Sequence, residues 1–422
     1  MQVIGTVLRI CILSALLAGG QAGAATIAIS CGALGQELEV CRDGVRAWER
    51  RTGHTVQLVS TPNSSSERLA LYQQLLAARA PDIDVFQIDV VWPGILANHF
   101  LDLTPYARES ATRHFPAVVE NNTVDGRLVA IPWFTDAPML YYRTDLLRKY
   151  SEPVPETWRE LTRIAQRIQN AERAAGNDRL WGFVWQGRAY EGLTCVALDW
   201  IASHGGGTVV EPDGTISIRN PRAAKALTLA AGWVGTISPR GVLNHAEEES
   251  RGVFQSGNAL FMRNWSYAWP LVNGEGSPVR GRVGVAALPA GEGGSSAATL
   301  GGWQLAVSRY SRHPELAADL VMHLTGRAEQ KRRAIVGAYN PTIPELYRDD
   351  EVIRANPFYE TLLGTFLNAV PRPSTVTGVR YNRVSSAFWS ATHAVIAGQS
   401  DAETALRSLE RNLMRLSRGG KW

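Results

Sequence analysis

Acidic side chains recur close to tryptophans in this chain, which has 422 residues and 13 tryptophans. Asp89 precedes Trp92 by three residues, and Asp136 follows Trp133 by three. A tryptophan ring covers an apolar C–H face of a ligand and contributes about 2 kcal/mol when it is well buried. A carboxylate accepts hydrogen bonds from hydroxyl groups, and such charge-assisted bonds are about twice as strong as neutral ones. These residue types together favour recognition of a flat, hydroxylated molecule such as a sugar.

The segment "FMRNWSYAWP" (261–270) concentrates the same chemistry. Trp265, Tyr267 and Trp269 stand at alternate positions, and Arg263 lies just before them. Alternate residues share one face of an extended strand. The segment is therefore either an amphipathic strand buried on one face or a surface that holds something flat and hydroxylated.

Signatures of catalysis and cofactor binding are missing from the sequence. It contains no P-loop, HExxH helix, GxSxG elbow, dinucleotide-binding glycine motif, EF-hand loop or CxxC pair. The eight histidines are dispersed, with no HxH or HxxxH pair. Lys and Arg (43) nearly balance Asp and Glu (39), and the charges are scattered. We therefore predict no metal, no cofactor and no nucleic-acid partner.

Alternating strand-like and helix-like segments predict the frame that must position these side chains. The strand-like segments are "TIAIS" (26–30), "HTVQLVST" (54–61) and "DIDVFQID" (82–89). Helical patterns fill the two intervals, one stopped by Gly53 and the other before Pro81. This order predicts a parallel, doubly wound α/β sheet. Ligands of such sheets bind beyond the carboxyl ends of strands, which singles out residues 32–37, residues 61–66 and Asp89.

Further elements are predicted downstream. A hairpin is expected at Asp125-Gly126 and a flexible loop at 290–297. Helical patterns cover residues 155–176, 221–233, 313–337 and 401–417. A chain of this length exceeds one ordinary core and predicts two or three domains. With 45% hydrophobic and 19% charged residues it has the composition of a folded soluble protein.

The first 24 residues have the pattern of a secretory signal peptide. They contain one positive residue (Arg9), a short apolar run and the small-residue sequence Ala22-Gly23-Ala24. We therefore predict export to the periplasm, with a mature chain that starts near Ala25.

Cys11 would leave with the signal. The other three cysteines are Cys31, Cys41 and Cys195. A local disulfide between the first two and small buried thiols are both compatible with the sequence.

Several motifs together resemble the extracellular solute-binding proteins of ABC importers, closest to the trehalose/maltose-binding branch. They are "PDIDVFQIDVVWPG", "AIPWFTDAPMLYYRTDLLRKY", "PETWRELTRIAQRIQ", "WGFVWQGRAYEGLTC", "MRNWSYAWPL", "ATLGGWQLAVS" and "NAVPRP". The resemblance covers nearly all of the mature chain. It implies an α/β, two-lobed periplasmic-binding-protein fold, with a mostly parallel sheet flanked by helices in each lobe and a multi-strand hinge. One lobe would comprise residues 25–133 and 286–340, and the other residues 134–285 and 341–422.

The resemblance also implies roles for particular residues. Carboxylates for sugar hydroxyls would come from Glu37, Asp89 and Asp136. Aromatic walls and platforms would come from Trp265, Tyr267 and Trp303. The backbone of Gly301 and Gly302 would let the ligand approach closely. The guanidinium of Arg372 would donate hydrogen bonds to two hydroxyl groups of the ligand.

Two departures from the family pattern concern the identity of the sugar. Phe134 stands where relatives place a tyrosine, which removes one hydroxyl contact. The serine-rich segment around Ser65 matches weakly, as does Arg68. Each acid also has a plainer interpretation. Asp89 and Asp136 could cap turns or helices, and Glu37 could be a solvated acid in the first turn of a helix, favoured by the helix dipole.

The sequence predicts a monomeric sugar-binding component whose lobes close on a disaccharide such as trehalose, maltose or sucrose. Its other partner would be an ABC permease in the membrane. An exported glycoside hydrolase is the alternative from another class, because acids and tryptophans also line hydrolase clefts. A peptide or polyamine binder of the same fold is a third interpretation.

Overall fold

The computed structural model describes residues 24–32 and 34–422. The predicted signal peptide therefore lies outside the described residues, apart from Ala24. The strands of the described residues are β1 (Thr26–Ser30), β2 (Thr55–Val59), β3 (Val85–Asp89), β4 (Thr123–Val124), β5 (Arg127–Leu128), β6 (Ile131–Asp136), β7 (Met139–Arg143), β8 (Trp181–Val184), β9 (Ala259–Asn264), β10 (Val283–Ala286) and β11 (Gly301–Val307).

The helices of the same residues are α1 (Glu37–Thr52), α2 (Ser65–Ala77), α3 (Pro93–Leu96), α4 (Thr104–Ala111), α5 (Pro116–Asn121), α6 (Thr144–Lys149), α7 (Trp158–Ala174), α8 (Glu191–Ser203), α9 (Pro221–Trp233), α10 (Glu247–Gln255), α11 (Ala268–Val272), α12 (Pro314–Thr325), α13 (Arg327–Gly337), α14 (Asp350–Ala355), α15 (Tyr359–Leu367), α16 (Ser374–Thr377), α17 (Tyr381–Ile396) and α18 (Ala402–Leu416). Short 3-10 helices occupy Ala97–His99, Arg240–Asn244, Pro344–Arg348 and Gly378–Arg380. Among the described helices, none is both long and apolar enough to cross a membrane.

Two sheets form the centres of two lobes. The first sheet has the order β2-β1-β3-β11-β6, and we call this sheet and its helices lobe I. The second has the order β10-β7-β9-β8 and forms lobe II. The two-lobed α/β class is confirmed. The sheets are mixed rather than mostly parallel, because β11 runs antiparallel to both β3 and β6, and β7 runs antiparallel to β9 and β10. These strands arrive by crossing between lobes, so no helical crossover fixes their direction as it does for β1, β2 and β3.

Local signals set most element boundaries. Gly53 ends α1 in the left-handed conformation, with φ +75°. The Ser64 hydroxyl caps α2, and Thr157 forms a capping box at the start of α7. The hairpin at Asp125-Gly126 is present between β4 and β5. The helix predicted over residues 313–337 is instead two helices, α12 and α13, because Gly326 between them has an extended backbone.

Hydrophobic cores lie on both faces of the first sheet. One joins α1 and α12 to the sheet and contains Trp48, and the other joins α2 and α3 and contains Tyr72. Cys31 and Cys41 form a disulfide inside the first of these cores, which decides between the two interpretations of these thiols. The core of lobe II surrounds the second sheet.

The chain passes between the two sheets more than once. Strand β6 of the first sheet leads directly into β7 of the second, and β10 of the second sheet is followed by β11 of the first. Asn340, which follows α13, pairs with Thr135 at the same junction. Each lobe is therefore assembled from separate parts of the chain. The residue boundaries given above for the lobes stay predictions.

Candidate functional site

A cleft lies between the lobes, at the carboxyl ends of β1, β2 and β3. All the predicted site residues except Arg68 line it: Glu37, Ser65, Asp89, Phe134, Asp136, Trp265, Tyr267, Gly301, Gly302, Trp303 and Arg372. Sequence reasoning missed other lining residues, among them Tyr190, Glu191, Glu247 and Tyr339.

Two tryptophans, one from each lobe, offer flat surfaces to the cleft. Trp303 belongs to β11 of lobe I, and Trp265 follows β9 of lobe II. A buried guanidinium lies against each ring: Arg68 is 4.4 Å from the centre of Trp303, and Arg263 is 4.4 Å from the centre of Trp265. Both arginines are only 1% exposed. One face of each indole is covered in this way, and both tryptophans line the cleft.

The placement of Arg68 bears on its predicted role. Its Nε donates to the carbonyl of Pro62 at 3.2 Å, and its side chain lies behind Trp303 rather than in the cleft lining. This placement favours support of the ring over direct contact with a ligand. Arg263 is held more completely, since its Nε and Nη2 donate to Asp199 Oδ2 at 2.9 and 2.8 Å.

A third buried arginine lies beneath the aromatic wall at Phe134. The guanidinium of Arg333 is 3.7 Å from the ring centre of Trp133, 4.5 Å from that of Tyr339 and 5.2 Å from that of Phe134. No hydrogen-bond partner for its three guanidinium nitrogens is found among the described residues. Burial lowers the pKa of Arg333. Phe134 therefore lacks the hydroxyl of the tyrosine expected at this position from the resemblance, and its ring packs near the guanidinium of Arg333.

Glu37 lies where α1 begins, beyond the end of β1. Its Oε1 accepts a hydrogen bond from Gln87 Nε2 at 2.6 Å. Gln87 in turn accepts from the backbone N–H of Gly32 at 2.8 Å, so one buried side chain fixes both the loop and its carboxylate. Gln87 lies inside the predicted strand β3, and no local signal marked it as a site residue.

Asp89 is joined across the cleft to lobe II. Arg372 Nη2 donates to Asp89 Oδ1 at 2.7 Å, and Arg372 Nη1 donates to Glu191 Oε1 at 2.8 Å. Burial favours the neutral form of Arg372, but the adjacent Asp89 and Glu191 raise its pKa well above the usual value. The N–H of Val91 also donates to Asp89 Oδ1, at 3.2 Å, so Asp89 caps a turn as well.

Asp136 stands at the junction of the lobes, as the last residue of β6. Its Oδ1 accepts from the N–H of Ala137 at 2.9 Å, from Asn340 Nδ2 at 3.2 Å and from the N–H of Ser266 at 3.4 Å. These donors come from three separate segments near the hinge. Burial raises the pKa of Asp136 to about 7, and hydrogen bonds from Ser266 and Ala137 oppose that rise.

The alternating rings of residues 265–269 do not share one face, because β9 ends at Asn264 and helix α11 begins at Ala268. Trp265 and Tyr267 line the cleft, and the Tyr267 hydroxyl donates to Glu248 Oε1 at 2.6 Å. Trp269 is outside the lining and packs edge-on against Phe358, with 5.6 Å between ring centres. The segment therefore combines cleft wall and packing residues.

Among the described residues, no group of three or more His, Cys, Asp or Glu side chains could hold a metal ion. The cleft is thus a set of two tryptophan faces with carboxylates, a guanidinium and tyrosine hydroxyls around them. Such an arrangement suits reversible binding of a neutral polyhydroxylated molecule.

Comparison with known proteins places the chain among transport proteins. A family model of bacterial extracellular solute-binding proteins matches residues 38–331. The chain is 53% identical over 412 residues to a probable ABC transporter-binding protein of Deinococcus radiodurans, and the match covers 97% of each chain.

Solved structures give a similar result. The maltose-bound MalE3 protein of T. maritima superposes with a TM-score of 0.88 at 40% identity, over 93% of this chain and 100% of that one. A solute-binding protein of Agrobacterium vitis with bound D-mannitol superposes with a TM-score of 0.81, over 94% of this chain and 99% of that one. At 20% identity the latter likeness concerns the fold alone.

Proposed function

The chain belongs to the bacterial extracellular solute-binding protein family, and we propose that it captures a disaccharide such as trehalose or maltose in the cleft between its lobes. As a member of this family it is the substrate-binding protein of an ABC sugar transporter and not an enzyme. We further propose that it acts in the periplasm as a monomer and delivers the sugar to the transporter's permease.

The observation that carries the proposal is the pair of tryptophan faces, one from each lobe. Trp303 and Trp265 can each cover one apolar sugar face, so two platforms match two pyranose rings. Asp89, Asp136 and Glu37 lie around them and can accept hydrogen bonds from ring hydroxyls. The bound maltose of the 40% identical MalE3 protein supports the same ligand class for this chain.

The proposed mechanism is a shift between open and closed states. A sugar touches residues of both lobes only when the lobes are closed, so its binding free energy favours the closed state. Two buried rings and several charge-assisted hydrogen bonds, set against the cost of association, suit micromolar affinity, or about −8 kcal/mol. The closed face would then be the surface that the permease recognises.

Calorimetric titration of the mature protein tests this proposal. Trehalose, maltose, sucrose, glucose and D-mannitol are titrated in parallel, and the sugars are recovered and examined for cleavage. We expect saturable binding of at least one disaccharide, clearly tighter than that of glucose or mannitol, and recovery of intact sugar. Tighter binding of a monosaccharide or polyol than of every disaccharide would contradict the proposal.

A further inference from the structure

The cleft is enclosed by direct contacts between the lobes, and their arrangement bears on ligand size. The reasoning rests on the function proposed above. In the first sheet, order β2-β1-β3-β11-β6, the strand β6 continues into lobe II. The chain itself therefore closes the cleft at the β6 edge, which is the hinge. The β2 edge lies at the opposite end of the sheet and forms the mouth.

Side chains from both lobes meet at this mouth. Arg188 Nη2 donates to Glu67 Oε1 at 2.6 Å, and the N–H of Glu191 donates to Ser66 Oγ at 3.1 Å. Ser66 and Glu67 belong to α2 of lobe I, whereas Glu191 begins α8 of lobe II and Arg188 lies three residues before it. Arg188 and Glu67 are 45% and 54% exposed, yet Ser65 beside them lines the cleft. The ion pair therefore stands between the cleft and the solvent.

The two flanks of the cleft are also covered. On the face of α1, the loop at Gly35 lies against Tyr267 and Leu271 of lobe II, since a Cβ at Gly35 would be 2.8 Å from each of them. On the face of α3, Gly94 lies close to the backbone of Gly378, because a Cβ there would be 3.7 Å from the Gly378 Cα. A ligand longer than the cleft therefore cannot extend through either flank unless the backbone at that flank moves away from the facing lobe.

We propose that Glu67 and Arg188 form a clasp that limits the ligand to two sugar rings. A third ring attached to a disaccharide would have to leave through the mouth, since the hinge and both flanks are closed by backbone or buried contacts. The mouth is closed in part by two long, half-exposed side chains. The clasp thus determines specificity for length, and it contributes little to the affinity for a disaccharide.

The test compares disaccharides with trisaccharides. The wild type and the double variant Glu67→Ala/Arg188→Ala are titrated with trehalose, maltose and sucrose, and with maltotriose and raffinose. We expect the wild type to bind the best disaccharide at least about 100-fold more tightly than either trisaccharide. In the double variant this ratio should fall at least about tenfold, whereas disaccharide affinity should change by less than about fivefold, because an exposed ion pair contributes little.

A matched control removes an exposed ion pair outside the cleft lining. Lys225 and Glu292 are 2.6 Å apart and 56% and 69% exposed, and neither lines the cleft. Lys225→Ala/Glu292→Ala should leave the ratio unchanged. A wild type that binds a trisaccharide as tightly as a disaccharide overturns the length limit alone. An unchanged ratio in the clasp variant, or an equal loss for all sugars, also overturns it. Failure of every disaccharide to bind the wild type overturns the proposed function itself.

Discussion

The tryptophan faces of the cleft owe their fixed positions to arginines that lie behind them. Arg68 and Arg263 each cover one face of an indole and are themselves held by hydrogen bonds inside their own lobe. A guanidinium stacked on a ring restricts its tilt, so little side-chain freedom is lost when a sugar binds. Preorganised rings of this kind contribute more affinity than mobile rings of equal area.

Removal of either ring should weaken sugar binding without unfolding the protein. We expect Trp265→Ala and Trp303→Ala each to raise the Kd for the best disaccharide at least tenfold, about 1.4 kcal/mol, as measured by calorimetry. Trp181 offers a matched control, because it stacks on Arg173 with 4.3 Å between the guanidinium and the ring centre and lies outside the cleft lining. Unchanged affinity in both cleft variants would show that the rings are not platforms.

Asp136 makes the stability of the protein depend on pH. Its pKa is about 7 in the folded protein, against an ordinary value of 3.8. Between these values the folded state holds a proton that the unfolded chain has released. The free energy of unfolding therefore falls as pH rises from about 4 to about 7, by at most about 4 kcal/mol.

The substitution Asp136→Asn tests this dependence. Asparagine keeps an acceptor oxygen for Ala137, Asn340 and Ser266 but has no titrating proton. Denaturant unfolding from pH 4.5 to pH 8 should show the wild type losing stability relative to the variant as pH rises. A constant difference across this range would mean that Asp136 titrates near its ordinary pKa in the folded protein.

At the scale of elements, the start of β11 serves both the lobe I sheet and the closed cleft. Gly301 and Gly302 begin this strand beside Asp136 and Thr135 of β6. A Cβ on Gly301 would lie 2.8 Å from the Trp265 ring, which belongs to the other lobe. A Cβ on Gly302, with φ +125°, would lie 2.6 Å from the Phe134 carbonyl oxygen in the same sheet. Gly301 therefore leaves room for the Trp265 ring in the cleft, whereas Gly302 leaves room for the backbone of β6.

Substitution of Gly301 should change the affinity for a disaccharide, whereas substitution of Gly302 should change the stability of the fold. We expect Gly301→Ala to weaken disaccharide binding at least tenfold, because it displaces Trp265, with little change in thermal stability. Gly302→Ala should lower the free energy of unfolding by about 1 to 3 kcal/mol, because its methyl group meets backbone and its φ disfavours a side chain. Calorimetry and denaturant unfolding of both variants measure the two effects. Equal effects of the two substitutions on both measurements would refute the assignment.

Elements with local signals could be predicted from the sequence, and those fixed by distant partners could not. Gly53 marked the end of α1 correctly, because a cap acts within one turn. The direction of β11 depends on lobe crossings and not on its own residues. Glu191 had no signal of its own either, since its role comes from Arg372, which lies 181 residues away.

For the whole molecule, closure places buried charge between the lobes. Arg372 donates to Glu191 of lobe II and to Asp89 of lobe I, so its pair with Asp89 joins the two lobes in this structure. The side chains of Arg372 and Asp89 are 2% and 9% exposed. Opening would return Asp89 to water, whereas removal of Arg372 would leave its carboxylate buried without a cation in the closed state. The arginine therefore acts on the balance between states more than on the folding of either lobe.

Loss of Arg372 should shift the protein toward the open state. Since removing one partner of a buried ion pair costs about 3 to 5 kcal/mol, we expect Arg372→Ala to weaken disaccharide binding at least about 100-fold. Small-angle scattering with saturating sugar should give the wild type a smaller radius of gyration than the variant.

Arg372→Lys should recover only part of the affinity, because a single ammonium cannot donate to both carboxylates in the way that the two guanidinium nitrogens do. The matched control is Arg163→Ala, which breaks an ion pair with Glu152 inside lobe II at a position 54% exposed. If Arg372→Ala matched this control in affinity and in radius, the ion pair with Asp89 would have no part in closure.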